Sequence, residues 1–271
     1  MKPPKTSPTL SPDGVSPLSA VSAPSPPRLV TGFADRHWGF DSTVGIPASS
    51  LTALTWSVGA GASTFFLQLL SAAARASKRK VLYVNADEES RSVRERALRL
   101  RLPNLKDILL LGLESQAKGY KLTRALLERY QPALIVIESV DAGDRVGIEV
   151  LENLKEHARS HGSRPILVGC RLRSNSALPR RIADTVDTVL KLDTADILCG
   201  TNGEEHFTPE AEPFRILKTL KNRHGDIYES YFTLTERGLR PYEIPTSPLH
   251  EHRHATKSTA KTTAKPAKKR A

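Results

Sequence analysis

Apolar residues along this chain fall into two patterns. Short continuous runs suit strands buried on both faces, and spacings of three and four suit helices. The continuous runs are Leu51 to Val58, Lys80 to Ala86, Ile108 to Leu111, Ala133 to Ser139 and Pro165 to Cys170. Helical spacing predicts a helix of about fifteen residues opening at Phe65-Phe66-Leu67. Ser90 to Leu102 follows, with Val93, Ala97, Leu98 and Leu102 in register, then Leu122 to Tyr130 ahead of Pro132, and Val146 to His161. Apolar strands separated by helices predict a parallel sheet covered on both faces. Past residue 186 the connections become short or polar. Val186 to Leu192, Phe214 to Leu220 and Ser230 to Thr235 read as strands of an antiparallel extension, and residues 194–212 as an exposed loop.

Composition sets the ends apart. Residues 1–27 hold eight prolines, many serines and almost no bulky apolar groups, a composition that predicts disorder. Residues 246–271 form a basic tail ending in Lys268-Lys269-Arg270-Ala271. The expected organisation is therefore one core, residues 28–245, between two disordered tails. Of the net charge of +11, the first tail carries +1 and the second +6, leaving +4 for the core. A flexible cationic tail suits contact with phosphates without a fixed pose, or simple solvation. Cys170 and Cys199 are the only cysteines, which excludes a disulfide framework and a four-cysteine zinc site. No apolar run reaches the roughly 18–20 residues of a membrane helix, and no secretory signal opens the chain. The expectation is a cytoplasmic protein without membrane contact.

The candidate chemistry begins after the first strand. Trp56-Ser57-Val58-Gly59-Ala60-Gly61-Ala62-Ser63-Thr64 lies between strand and helix, as a phosphate-binding loop does. Laid on G-x-x-x-x-G-K-[ST], Trp56 takes the first glycine, Gly61 the second, Ala62 the lysine and Ser63 the magnesium-ligating hydroxyl. Backbone N–H groups can still face an anion there, but the point charge for the outer phosphates is gone. Lys78, Arg79 and Lys80 come after the helix, at the far end of the sheet, and cannot replace it. Asp87-Glu88-Glu89 follows the second strand and Glu138-Ser139 the fourth, so both should meet the loop beyond the carboxyl ends of the strands. Plainer alternatives stand beside these. Glu88 and Glu89 suit a helix N-terminus, Glu138 a solvent-facing strand end, and Gly59 and Gly61 a tight turn. Lys221-Asn222-Arg223-His224-Gly225 suits a phosphate-meeting turn or an ordinary charged hairpin, with Gly225 supplying a positive φ. Arg171, Arg173, Arg180 and Arg181 flank Ser174-Asn175-Ser176, a loop facing nucleic acid or solvent.

Together these segments resemble the ATPase core of the RadA (Sms) family of bacterial recombination proteins, within the RecA superfamily. The likeness spans residues 28–245. It rests on Arg28 to Asp35, on the degenerate loop, on Leu82 to Ser90, and on Leu134 to Ser139 as Walker B. Lys221 to Gly225 is similar to the family's five-residue signature, with His224 in place of phenylalanine, and Thr235 to Arg240 resembles the closing strand and turn. The resemblance covers the ATPase core alone and implies a RecA-like P-loop fold with an antiparallel C-terminal extension. It implies a nucleotide site for ATP and Mg at Gly59, Gly61, Ser63, Thr64 and Glu138, with Ser63 on the metal and Glu88 orienting water. Lys221, Asn222, Arg223 and Gly225, with Arg171 and Arg173, would act on DNA or at a subunit boundary. The functional expectation is a DNA-binding recombination or repair protein, on single-stranded or branched DNA, with weak or absent ATP hydrolysis. One alternative is an active DNA-dependent ATPase that borrows a cation, Lys221, from a neighbouring subunit of a homo-oligomer. The other is a scaffold partnering an active RecA-type protein.

Overall fold

The structure is a computed structural model. It describes residues 27–38, 44–85, 88–112, 128–141, 145–160, 164–171, 178–195, 197–199, 205–207 and 213–243. The strands are β1 (Arg28–Leu29), β2 (Ile46–Pro47), β3 (Leu51–Trp56), β4 (Val81–Asn85), β5 (Ile108–Gly112), β6 (Ile135–Asp141), β7 (Ile166–Arg171), β8 (Thr188–Ala195), β9 (Ile197–Cys199), β10 (Glu205–Phe207), β11 (Phe214–Asn222), β12 (Glu229–Thr235) and β13 (Gly238–Tyr242). The helices are α1 (Ala62–Ser77), α2 (Ser90–Arg99), α3 (Arg145–Ser160) and α4 (Arg180–Thr185).

One nine-stranded sheet runs in the order β13-β12-β11-β8-β3-β7-β6-β4-β5. From β8 to β5 all neighbours are parallel, and from β8 through β11 and β12 to β13 all are antiparallel. The mainly parallel sheet with an antiparallel extension holds, with one boundary moved. The strand expected at residues 186–192 lies parallel to β3, because α4 supplies the crossover that a parallel connection needs. Within residues 194–212, read as a loop, β9 and β10 pair antiparallel. The helix expected at Leu122 to Tyr130 falls mostly outside the described residues, as do Asp87, Arg173 and both predicted tails apart from Pro27.

Strand alternation sorts the core into two layers. On one face Tyr83, Val136, Leu167 and Leu190 pack against Phe65, Phe66, Leu69 and Leu70 of α1. On the other, Leu82, Val84, Ile137 and Val168 pack with Leu151 and Leu154 of α3. Register sets Asn85 beside Glu138 and Tyr83 beside Val136, so Glu138 faces α1. The pairing of β6 with β7 shifts between Ile137 and Val140, a bulge where strands commonly re-aim side chains.

Gln68 of α1 fixes the far hairpin. Its amide donates to Leu239 O at 3.1 Å and accepts from Leu239 N at 2.8 Å. Gly238, at φ 97°, leaves room for it, since a Cβ there would lie 2.7 Å from the Gln68 side chain.

Candidate nucleotide site

The loop from Ser57 to Gly61 keeps phosphate-loop geometry. Gly59 and Gly61 sit at φ 78° and 91°, in the left-handed region that side chains resist. Gly61 caps α1 without a side-chain bond. The N–H groups of Ala62, Ser63 and Thr64 thus have no partner within the helix, where the dipole favours an anion. Val58, fully exposed, rides at the tip.

The pattern's first glycine is here a tryptophan. Trp56 turns its indole edge-on to Phe66, 6.0 Å between centroids at 87°. Gly169 on the neighbouring strand β7 makes the room: a Cβ there would lie 2.9 Å from Phe66 and 3.0 Å from Trp56. Sequence reading placed Gly169 in a strand and assigned it nothing; a glycine inside an apolar strand beside a misplaced aromatic was the available signal.

The hydroxyl and the acid meet. Ser63 Oγ donates to Glu138 Oε1 at 2.7 Å, and Tyr83 Oη donates to Glu138 Oε2. Glu138 is buried, and desolvation raises its carboxyl above the ordinary carboxylate range despite both bonds. Burial also pushes the Tyr83 phenol upward, and the adjacent Glu138 adds to the shift. The solvent-facing alternative for Glu138 is therefore excluded. Tyr83 was missed as a site residue because a tyrosine in a buried strand reads as core.

Glu88 is also engaged. Its two oxygens accept from Arg96 Nη1 and Nη2 at 2.7 and 2.8 Å, a bidentate pair. Its backbone N–H donates to Asn85 Oδ1 at 3.2 Å. This pair ties the segment after β4 to the second turn of α2.

The cations of the second cluster make hydrogen bonds within the chain. Lys221 Nζ donates to Ala183 O and, at 2.9 Å, to Val186 O, carbonyls at the C-terminal end of α4 that favour a cation. Arg223 donates to Asp184 O at 2.9 Å and to Asp187 Oδ1 at 3.3 Å. Asn222 holds the turn, accepting from His224 N at 2.9 Å and donating to Asp226 O at 3.2 Å. Gly225 is not among the positive-φ residues, so the conformation expected of it is corrected: Asn222 does the turning. Sequence reading missed what lies under the turn. Arg28 Nη2 reaches His224 O at 3.1 Å, and buried His37 bridges Thr219 and Ser230 at 2.7 and 3.0 Å. These partners are 182 or more residues apart, a separation no local pattern reveals. Arg171 ends β7, at the carboxyl edge of the sheet where the loop lies.

The phosphate loop thus follows β3, and its acid lies two strands away, on β6 across β7, in a RecA-like core. A KaiC-like protein from Pyrococcus horikoshii OT3 shares this fold: TM-score 0.61 over 80% of this chain and 99% of that one, at 18% identity. Among curated proteins the chain is similar to the DNA repair protein RadA of Bacillus subtilis, 28% identical over 92% of this chain and 52% of the relative. The RadA of Pseudomonas aeruginosa is 29% identical over 85% and 49%, and that of Aquifex aeolicus 30% over 69% and 40%. No protein-family model matches the chain. The core is RadA-type, and the chain spans about half the length of the curated relatives it matches.

Proposed function

We propose that this chain is a DNA-binding protein of recombination or repair whose nucleotide site hydrolyses ATP weakly or not at all. The observation that carries the reading is Ala62, buried at 4% exposure in the first turn of α1, where the pattern calls for lysine. Losing one preorganised donor to developing charge costs about a hundred- to a thousandfold in rate. The named cations do not replace it: Lys221 is bound to the end of α4 and Arg96 to Glu88.

The donor set fits the inner part of Mg-ATP. The N–H groups of Ala62, Ser63 and Thr64 would hold a phosphate, and Ser63 with Glu138 would face the metal, which when bound supplies charge neutralisation between phosphates. Two features oppose full occupation. Both Glu138 oxygens already accept hydrogen bonds, from Ser63 and Tyr83, and Glu88 must leave Arg96 before it can orient water. The DNA role rests on similarity to proteins named for DNA repair and on the basic C-terminal tail.

Two assays on the purified chain test this. ATP turnover with and without single-stranded DNA should stay near background, and DNA binding should weaken steeply with salt. Robust turnover abolished by Glu88→Gln would replace this reading with the active ATPase.

A further inference from the structure

We propose that the amino-terminal edge of strands β7, β6, β4 and β5, opposite the nucleotide loop, binds a nucleic-acid phosphate backbone through Arg79, Arg164 and the lysines around them. The four strands are adjacent and parallel, so the segments leading into them lie side by side. Each brings cations. Arg164 precedes β7, Arg129 precedes β6, Lys78 to Lys80 precede β4, and Arg101 and Lys106 precede β5. Among the described residues of these segments seven cations face two acids, Asp107 and Glu128, and Asp107 is already bonded to Lys80 at 3.0 Å.

The placement of two guanidinium groups suits an anion. Arg79 donates to Gln131 O at 2.6 Å and Arg164 to Gln131 Oε1 at 3.1 Å. One exposed glutamine, itself at φ 46°, thus draws two positive charges together, and neither has an ion-pair partner among the described residues. Partial burial, and after it repulsion from Arg79, lowers the Arg164 pKa. A phosphate between them would remove that repulsion, and the planar forks suit its oxygens. Tyr130, 38% exposed beneath Arg129, offers a ring beside the row. Three strand spacings span about 14 Å, the axial rise of about four phosphates in one strand of a duplex.

The inference rests on the DNA-binding reading above and gives it a folded surface. Anisotropy titrations of the full chain with a dye-labelled single-stranded oligonucleotide, across a salt series, test it. Two pairs are compared with the wild type: Arg79→Gln with Arg164→Gln, and the exposed Lys78→Gln with Lys106→Gln. Each lost phosphate contact lowers the log–log salt slope by about 0.7, which is about fivefold in affinity at 0.1 M salt. Each pair should therefore lose about 25-fold and about 1.4 of slope, and the lysine pair keeps the test valid if the arginine pair folds poorly. Wild-type binding with unchanged slopes in both pairs overturns the edge, leaving it to an acidic protein or to solvent, and spares the DNA reading. Absence of binding by the wild type overturns both.

Discussion

The loop at Gly59–Thr64 and the turn at Lys221–Gly225 are opposite cases. The loop has lost its cation but keeps the backbone geometry that cradles an anion. The turn has its cations but uses them within the chain, on the end of α4. Residue type alone therefore decides neither case: backbone N–H groups can face an anion without a lysine, and cations can be bonded to carbonyls of their own chain. The two regions also differ in buried titratable groups. Under the turn lies a base held neutral, His37; beside the loop lies an acid pushed toward neutrality, Glu138.

The largest expected effect comes from acid acting under the turn. Burial holds the His37 imidazole at about 3, against 6.5 in the unfolded chain. The unfolded state takes the proton first, so this contribution is whole above pH 6.5 and declines toward pH 3 by up to about 1.4 kcal/mol per pH unit. Denaturant melts from pH 7 to 4 should show that decline, and His37→Gln should flatten it. An equal acid limb in both proteins would place the sensitivity elsewhere.

Next comes the turn itself. Lys221→Ala with Arg223→Ala removes charge-assisted bonds to α4 and should cost about 1–3 kcal/mol of stability. Unchanged melting together with lost DNA binding would show instead that both cations face a ligand.

These outcomes bear on what was legible in advance. The parallel strands, α1 and the loop were readable because apolar periodicity and the glycine-hydroxyl frame are local. The engagement of Lys221 was not, because it depends on α4, 35 or more residues away. Tyr83 and Gly169 escaped for a different reason: their roles exist only once β4, β6, β7 and α1 are packed, when an ordinary core tyrosine gains a carboxylate and an ordinary glycine gains an indole.

On the loop side, Gly169→Ala puts a methyl 2.9–3.0 Å from Phe66 and Trp56 and should cost about 1–3 kcal/mol by overpacking. Trp56→Ala in the same chain should relieve part of that cost, which a double-mutant cycle in denaturant measures. Strict additivity would mean the two do not share a space.

The smallest effect belongs to Glu138. Its carboxyl titrates above the ordinary 4.5 because it is desolvated. The native state then holds the proton longer than the unfolded state. This contribution is complete below pH 4.5 and is lost as pH rises through the folded value. Glu138→Gln keeps an acceptor for Ser63 and removes the titration, so its unfolding free energy should exceed the wild type's at pH 8, by an amount within about 1 kcal/mol, and match it near pH 4.5. A variant less stable at pH 8 would mean the carboxylate is held there ionised.

The central claim is that the loop at Gly59–Thr64 retains its cradle and that the charge missing at Ala62 is what most weakens nucleotide binding. Calorimetric titration of Mg-ATP into the wild type and Ala62→Lys measures that claim directly. The account predicts weak or undetectable binding by the wild type and at least tenfold tighter binding, about 1.4 kcal/mol, by the lysine variant. Tight wild-type binding, unchanged or weakened by Ala62→Lys, would contradict it.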